Sequence, residues 1–293
     1  MPLDTAAAVL ITITFLAATV NGALGYGFSS LTVPVAVLFY ANRVLNPALV
    51  LVEVVVNSYA LFINRRSVPR VWRRMLPILA GLVPGIVLGS YLLSTVNPGA
   101  VKVLTYAVLL PLILLQAAGF RRFIRAERAV GVPLGVGVGV LYSVTTISGP
   151  PLALMLNNQG FVREEFRAGL AIIRIAESTL TAIAYAFLGL YSVQTGSLLG
   201  LIAPSVILGV PLGVLLIRRL AAETFRRVCM SFDAWVVGFG FSRSLIDLGV
   251  LGEPSAYVVL MLAVTIDLVL LYQFFSRRRR GELTFGAVSH GTH

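Results

Sequence analysis

The sequence predicts an all-α polytopic membrane protein: two inverted-topology repeats followed by an extra C-terminal transmembrane helix. Three observations carry that prediction. The composition is 58% hydrophobic and only 12% charged, with a mean hydropathy of +0.92; a soluble domain carries about twice that charge. Apolar runs recur along the whole chain, and basic residues gather between them. Two of the runs are interrupted in mid-course by Gly, Ser, Thr and Pro.

Taken in order, the first run, 6–24, has no basic segment before it and reads as a membrane helix, not as a cleaved signal. It leads into GALGYGFSSLTVP (22–34), where glycines and a proline break helical continuity before a second apolar run ends near 41. Runs over 45–64, 75–96 and 100–120 are each long enough to cross a hydrocarbon core of about 30 Å. The run 131–145 then meets a second interruption, YSVTTISGPP (142–151), and continues over 149–157. Further runs at 168–190, 197–217 and 229–248 complete the second set, and 255–275 stands after it. Broken backbone at membrane depth is tolerated only inside protein or beside a wet cavity, so both interruptions predict re-entrant or broken helical hairpins.

The net charge of +11 comes from 22 Arg, one Lys and 12 acidic residues. Nineteen of the 23 basic residues fall in five short connections, around 65–74, 121–128, 163–167, 218–227 and 277–280. That is the pattern of the positive-inside rule, not of a nucleic-acid surface. It predicts these connections and the C-terminus on the cytoplasmic face of the cell inner membrane, and the uncharged 94–99, 190–197 and 249–254 outside. The same count makes 6–41 a unit with both ends outside and 131–157 a unit with both ends inside. The halves also align: SSLTVPVAVLF around Pro34 matches TISGPPLALML around Pro151, Asn57 falls near Ser178, and Pro84 near Pro211. The predicted units are a first repeat over 1–128, an inverted second repeat over 129–250, an added helix over 251–276 and a basic tail over 277–293. Inverted repeats with discontinuous helices characterise many secondary transporters.

Charges inside apolar helices cost several kcal/mol and mark pathways or buried pairs. Arg174 lies in AGLAIIRIAESTLTAIAY, with Glu177, Ser178 and Thr181 at i+3, i+4 and i+7 on one face. Two readings stand: Arg174 and Glu177 neutralise each other and brace the bundle, or Arg174 faces an anion with its planar pair of donors. The matching helix carries Glu53 and Asn57 at i and i+4; under the repeat alignment Glu53 lies opposite Arg174, and Asn57 is placed to donate to a substrate oxygen. Glu53 and Glu177 are the candidate proton-coupling groups or charge partners. At the interruptions, Ser29, Ser30 and Thr32 in one half and Thr145, Thr146 and Ser148 in the other either cap half-helices or bind an anion at their positive ends. Asp233, Arg243, Asp247 and Asp267 read as structural, with Arg243 and Asp247 spaced to pair at i+4 and Asp267 alone in the last helix.

Catalysis finds little support. Both histidines, His290 and His293, are in the tail, so histidine-dependent serine or zinc chemistry has no candidate in the membrane. The lone Cys229 excludes cysteine metal and redox motifs, and no phosphate-binding loop with a lysine occurs. The chain is read as a non-enzyme with no cofactor and no metal; its partners are a small anion and the lipid bilayer, not nucleic acid, and a homo-oligomer is compatible with any lipid-facing helix.

At the two interruptions the chain resembles the TauE/SafE family of sulfite and organosulfonate exporters, over roughly residues 8 to 245. The resemblance rests on Ser148-Gly149-Pro150-Pro151-Leu152, on NNQGFVREEFRAGLA (157–171), YAFLGLY (185–191) and PLGVLLIRRLAAETFRRV (211–228). Members of the family usually carry a run of glycines in the first half, where this chain has Gly25-Tyr26-Gly27-Phe28-Ser29-Ser30. The resemblance implies an exporter of sulfite or organosulfonates, working by alternating access around a midplane site. An anion leaving a negative-inside cell releases about 2.3 kcal/mol per charge per 100 mV. An anion channel or uniporter, or a proton-coupled importer of a small organic anion, are the alternatives.

Overall fold

The computed structural model describes residues 5–25, 27–118, 127–157, 161, 163–216 and 222–279. Among them every regular element is helical: α1 (Thr5–Leu24), α2 (Phe28–Ala36), α3 (Asn42–Ile63), α4 (Val68–Thr95), α5 (Pro98–Ala117), α6 (Glu127–Thr145), α7 (Gly149–Asn157), α8 (Arg163–Phe187), α9 (Val193–Leu216), α10 (Ala222–Asp247) and α11 (Val258–Arg279), with one 3-10 turn at Ser255–Tyr257. Among the described residues seven helices are long and apolar enough to cross a membrane: α1, α3, α4, α5, α8, α9 and the last, counted from Ser255. α10 has the length but carries six charged side chains. The chain is a multi-pass membrane protein.

Both interruptions are present. Gly25 (φ 84°) and Gly27 (φ 107°) precede α2, and Thr146 (φ 57°) precedes α7. The left-handed region costs a glycine little but a threonine more. Around Thr146 the hydroxyls take up backbone groups: Thr145 Oγ1 accepts the Ile147 N–H at 3.1 Å and donates to Leu141 O at 2.7 Å, while Thr146 Oγ1 donates to Thr145 O at 2.7 Å. α2 and α7 have nine residues each, about 14 Å of rise, or half the hydrocarbon core.

Packing follows a reciprocal scheme. α1 lies along α9 and α4 along α6; α3 crosses α8; α5 lies against α10; α2 touches α10 and α7 touches α5; α3 meets α9 and α8 meets α4. Exchanging α1–α5 with α6–α10 in order maps this set of contacts onto itself. The two longest contacts are backbone against backbone. A methyl group on Gly81, Gly85 or Gly89 of α4 would fall 2.1 Å from Val132 O, 2.3 Å from Val136 O and 2.7 Å from Val140 O of α6. On α9, a methyl at Gly209 would meet Phe15 O at 2.8 Å, and at Gly213 Thr19 O of α1. Small residues at such spacing let membrane helices approach closely and gain dispersion contact that lipid cannot supply. In both pairs the numbers rise together, so α4 runs parallel to α6 and α1 parallel to α9.

Two boundaries differ from expectation. α8 begins at Arg163, so Arg163 and Arg167 belong to a helix and not to a loop. α10 begins at Ala222, and Arg227 is buried in it rather than lying in a connection. The predicted boundary between the repeats, at 128, falls in the first turn of α6. Arg121, Arg122, Arg125, Arg218, Arg219 and Arg280 lie outside the described residues.

Candidate functional site

The crossing of α3 and α8 brings the predicted charges together. Arg174 Nη2 donates to Glu53 Oε1 at 2.9 Å, and both side chains are buried. Glu53 is fully enclosed and has two further donors: Ser29 Oγ from α2, at 2.7 Å on Oε1, and the Tyr142 hydroxyl from α6, at 2.5 Å on Oε2. Glu177 is equally enclosed and accepts from Ser148 Oγ, just before α7, at 2.5 Å on Oε2. Each hairpin thus donates a serine hydroxyl to a carboxylate of the long helix that follows it. On α8 four buried side-chain atoms have no hydrogen-bond partner among the described residues: Arg174 Nε and Nη1, Glu177 Oε1 and Thr181 Oγ1.

Beside this cluster lies a cavity of about 190 Å³. One wall is the end of α1 (Asn21, Gly22, Ala23) with Val210 and Val214 of α9; the second half of α3 (Asn57, Tyr59), Asn64 just after it, and α8 close the rest. α8 contributes Arg167 and Arg174, seven residues apart and therefore on one face. The cavity is smaller than the roughly 300–1,000 Å³ of drug-sized ligand pockets, a size suited to a small ion.

Arg174 and Asn57 line the cavity. Asn57 directs Nδ2 at Arg174 O (3.3 Å) and Ser178 Oγ (3.4 Å), so its amide also ties α3 to α8. Glu53 is the partner of Arg174 across the crossing, as the repeat alignment expects. The alternative partner, Glu177, one turn along the same helix, makes no ion pair with it among the described residues. Ser29 and Ser148 hold the two carboxylates. Ser30 donates to Gly27 O at 3.2 Å, Thr145 and Thr146 are taken up by the break, and Thr32 is buried without a partner among the described residues. None of these six hydroxyl residues lines the cavity.

A family model, sulfite exporter TauE/SafE, matches residues 10–239, most of the chain. The chain belongs to the TauE/SafE family. No curated protein and no solved structure matches it at a significant level. Membership makes this a transporter of the sulfite-exporter type. The matched region opens in α1 and closes within α10, so the whole α3–α8 site lies inside it and α11 lies beyond.

Sequence reasoning missed parts of this TauE/SafE site. Tyr142 gave one usable signal: a tyrosine in an apolar helix needs an acceptor for its hydroxyl once buried. Arg167 was assigned to a loop, although its spacing of seven from Arg174 places both on one helical face. Asn21 and Tyr59 carried no signal. The expected Arg243–Asp247 pair forms at 3.8 Å on the exposed surface, with Glu253 also 3.8 Å from Arg243. Asp267, which stands alone in its helix, is held by Arg227 at 2.8 Å and by Trp235 Nε1 at 3.1 Å, fixing α11 to α10.

Proposed function

We propose that the protein is a secondary transporter that exports small anions such as sulfite and short organosulfonates across the cell inner membrane. Access alternates around Arg174, and the C-terminus lies on the cytoplasmic side. The single observation behind this reading is the Arg174 guanidinium: it faces a small cavity, is fixed by Glu53 through one nitrogen, and keeps Nε and Nη1 without a partner among the described residues. Those N–H groups lie on the two sides of the nitrogen that serves Glu53 and offer charge-assisted donors to the oxygens of a sulfite or sulfonate. Arg167 on the same face adds positive charge along the approach.

Inverted topology of the two repeats is part of the proposal. It is supported by the parallel pairs: α9 runs toward the 218–227 arginines and carries α1 with it, whereas α4 runs away from the 65–74 arginines and carries α6 with it. A carrier is favoured over a channel by the cavity's lining, which ends at Arg174 and takes no residue from the opposite ends of α3 or α8.

The test is counterflow in proteoliposomes. Labelled sulfite should exchange against unlabelled sulfite, with saturating kinetics, and compete with short organosulfonates. Flux that rises linearly with concentration, or absence of exchange, would overturn the carrier reading. In a Cys229→Ser background, cysteines placed at 190–197 should label from outside and those at 65–74 from inside; labelling of both from one side would reject the orientation.

A further inference from the structure

The ionisable groups of the site divide their donors unequally. Glu53 has three: Ser29, Tyr142 and Arg174. Glu177 has one, Ser148, and its second oxygen has none among the described residues although the side chain is wholly buried. Among the described residues of the helices packed on α8, only α3 and α6 bring ionisable groups to this level, Glu53 and Tyr142. Among the described side chains the other charges on those helices are remote: Arg43 begins α3, and Arg70, Arg73 and Arg74 occupy the first two turns of α4. α7 has no ionisable side chain.

Counting formal charge, two ionised carboxylates and one guanidinium leave one negative charge out of water. An anion on Arg174 would make it two, in a setting where a single uncompensated charge is already expensive. One proton on the carboxylate that lacks fixed donors restores the count. Because the anion neutralises Arg174, its binding favours the proton and the proton favours the anion, by reciprocal linkage.

We infer that Glu177 takes up one proton with each anion and releases it on the other side, while Glu53 stays ionised as the fixed counter-ion of Arg174. The inference rests on the proposal that Arg174 holds the anion, and it deepens that proposal into obligatory anion–proton symport. The proton comes from the solution to which the site is open, forms an O–H bond on Glu177, and leaves with the anion; no other bond is made or broken. The carrier then has the same net charge loaded with a monovalent anion as it has without anion and proton. Transport is electroneutral: the voltage that favours exit of a bare anion no longer contributes, and export runs on the anion's own outward gradient, opposed by an acid-outside pH gradient.

The experiment uses the full-length protein in liposomes with labelled methanesulfonate, a probe that stays ionised throughout the working pH range. The wild type should accumulate label under an acid-outside pH gradient at zero potential, and ignore an inside-positive potential clamped by potassium and valinomycin at equal pH. Glu177→Gln keeps the Ser148 contact and imitates the protonated form. It should lose pH-driven accumulation, keep label-for-label counterflow, and become responsive to the potential. Wild-type accumulation driven by potential and indifferent to pH, or pH-driven accumulation surviving in the variant, would overturn the inference. If the variant exchanges nothing, a lumenal pH dye decides in the wild type: acidification of one proton per anion entering supports the symport, and its absence refutes it. If the wild type exchanges neither methanesulfonate nor sulfite, the anion-site proposal itself fails.

Discussion

Replacing Arg174 by lysine keeps the positive charge and removes the planar fork. In the structure Nη2 serves Glu53 at 2.9 Å, while Nε and Nη1 have no partner among the described residues. A lysine ammonium that stays with Glu53 preserves the ion pair but lacks the further fixed N–H groups that the guanidinium holds out to an anion. The loss is then one charge-assisted hydrogen bond, about 1.5–3 kcal/mol, or roughly 10- to 150-fold in affinity. Alanine is the poorer choice, because it strands the buried Glu53 carboxylate at a cost of about 3–5 kcal/mol and confuses folding with transport. The assay is the KM for sulfite counterflow in proteoliposomes, paired with the melting temperature of the purified variant. Arg174→Lys should melt close to the wild type and show a KM raised by that factor. A KM within about twofold of the wild type, a difference under 0.5 kcal/mol, would refute the idea that the remaining N–H groups of the guanidinium bind the anion.

Tyr142→Phe removes one of three donors to Glu53 and should cost about 1.5–3 kcal/mol of stability, read as a lower melting temperature with counterflow still measurable. Gly85→Val places atoms where even a methyl would sit 2.3 Å from Val136 O; α4 and α6 must separate, and loss of the folded monodisperse protein in detergent is the expected outcome. Asp267→Asn leaves the buried Arg227 without its counter-ion and should destabilise by about 3–5 kcal/mol, whereas the double variant Arg227→Met/Asp267→Leu should recover most of that. Neither change should alter the KM for sulfite, since α11 lies outside the site.

The breaks and the central charges were legible because both violate the local rule of an apolar helix. Glycine and proline in mid-run, and Arg174, Glu53 and Glu177 in hydrocarbon, have costs that the sequence displays directly. Even the partnership of Glu53 with Arg174 could be read, since the repeat alignment supplied the long-range information that local spacing lacks. Where no repeat mate existed, the reading failed. Asp267 looked solitary because its partner is 40 residues away on another helix. Arg227 looked like a loop residue because a cluster of basic residues gives no sign of where the helix beneath it starts. Arg43 was not singled out, yet its guanidinium covers the C-terminal carbonyls of α4 at Leu93, Ser94 and Val96, the free acceptors that a cation at a helix end satisfies. The hydroxyls at the breaks were read as caps or anion ligands; Thr145 serves the backbone, while Ser29 and Ser148 hold carboxylates.

The glycine contacts also constrain how such a transporter can move. Each joins one helix from the first five to one from the second: α4 with α6, and α1 with α9. Backbones in that register interlock, and interlocked surfaces shift between discrete packings rather than deform. A motion that rocked the two sequence halves against each other would have to break both contacts. A motion that preserves them divides the molecule differently, with α1, α9 and α3 on one side and α6, α4 and α8 on the other. The surface between those bodies is the α3–α8 crossing, where side-chain hydrogen bonds and one ion pair replace backbone contact. The cavity lies on that surface, with α1, α3 and α9 forming one wall and α8 the other. Glu53 is the junction of that surface, because it gathers donors from α2, α6 and α8. Under the proposed transport cycle an anion on the remaining N–H groups of Arg174 would share the guanidinium with Glu53 and soften this contact, so that recognition and opening would meet at one residue.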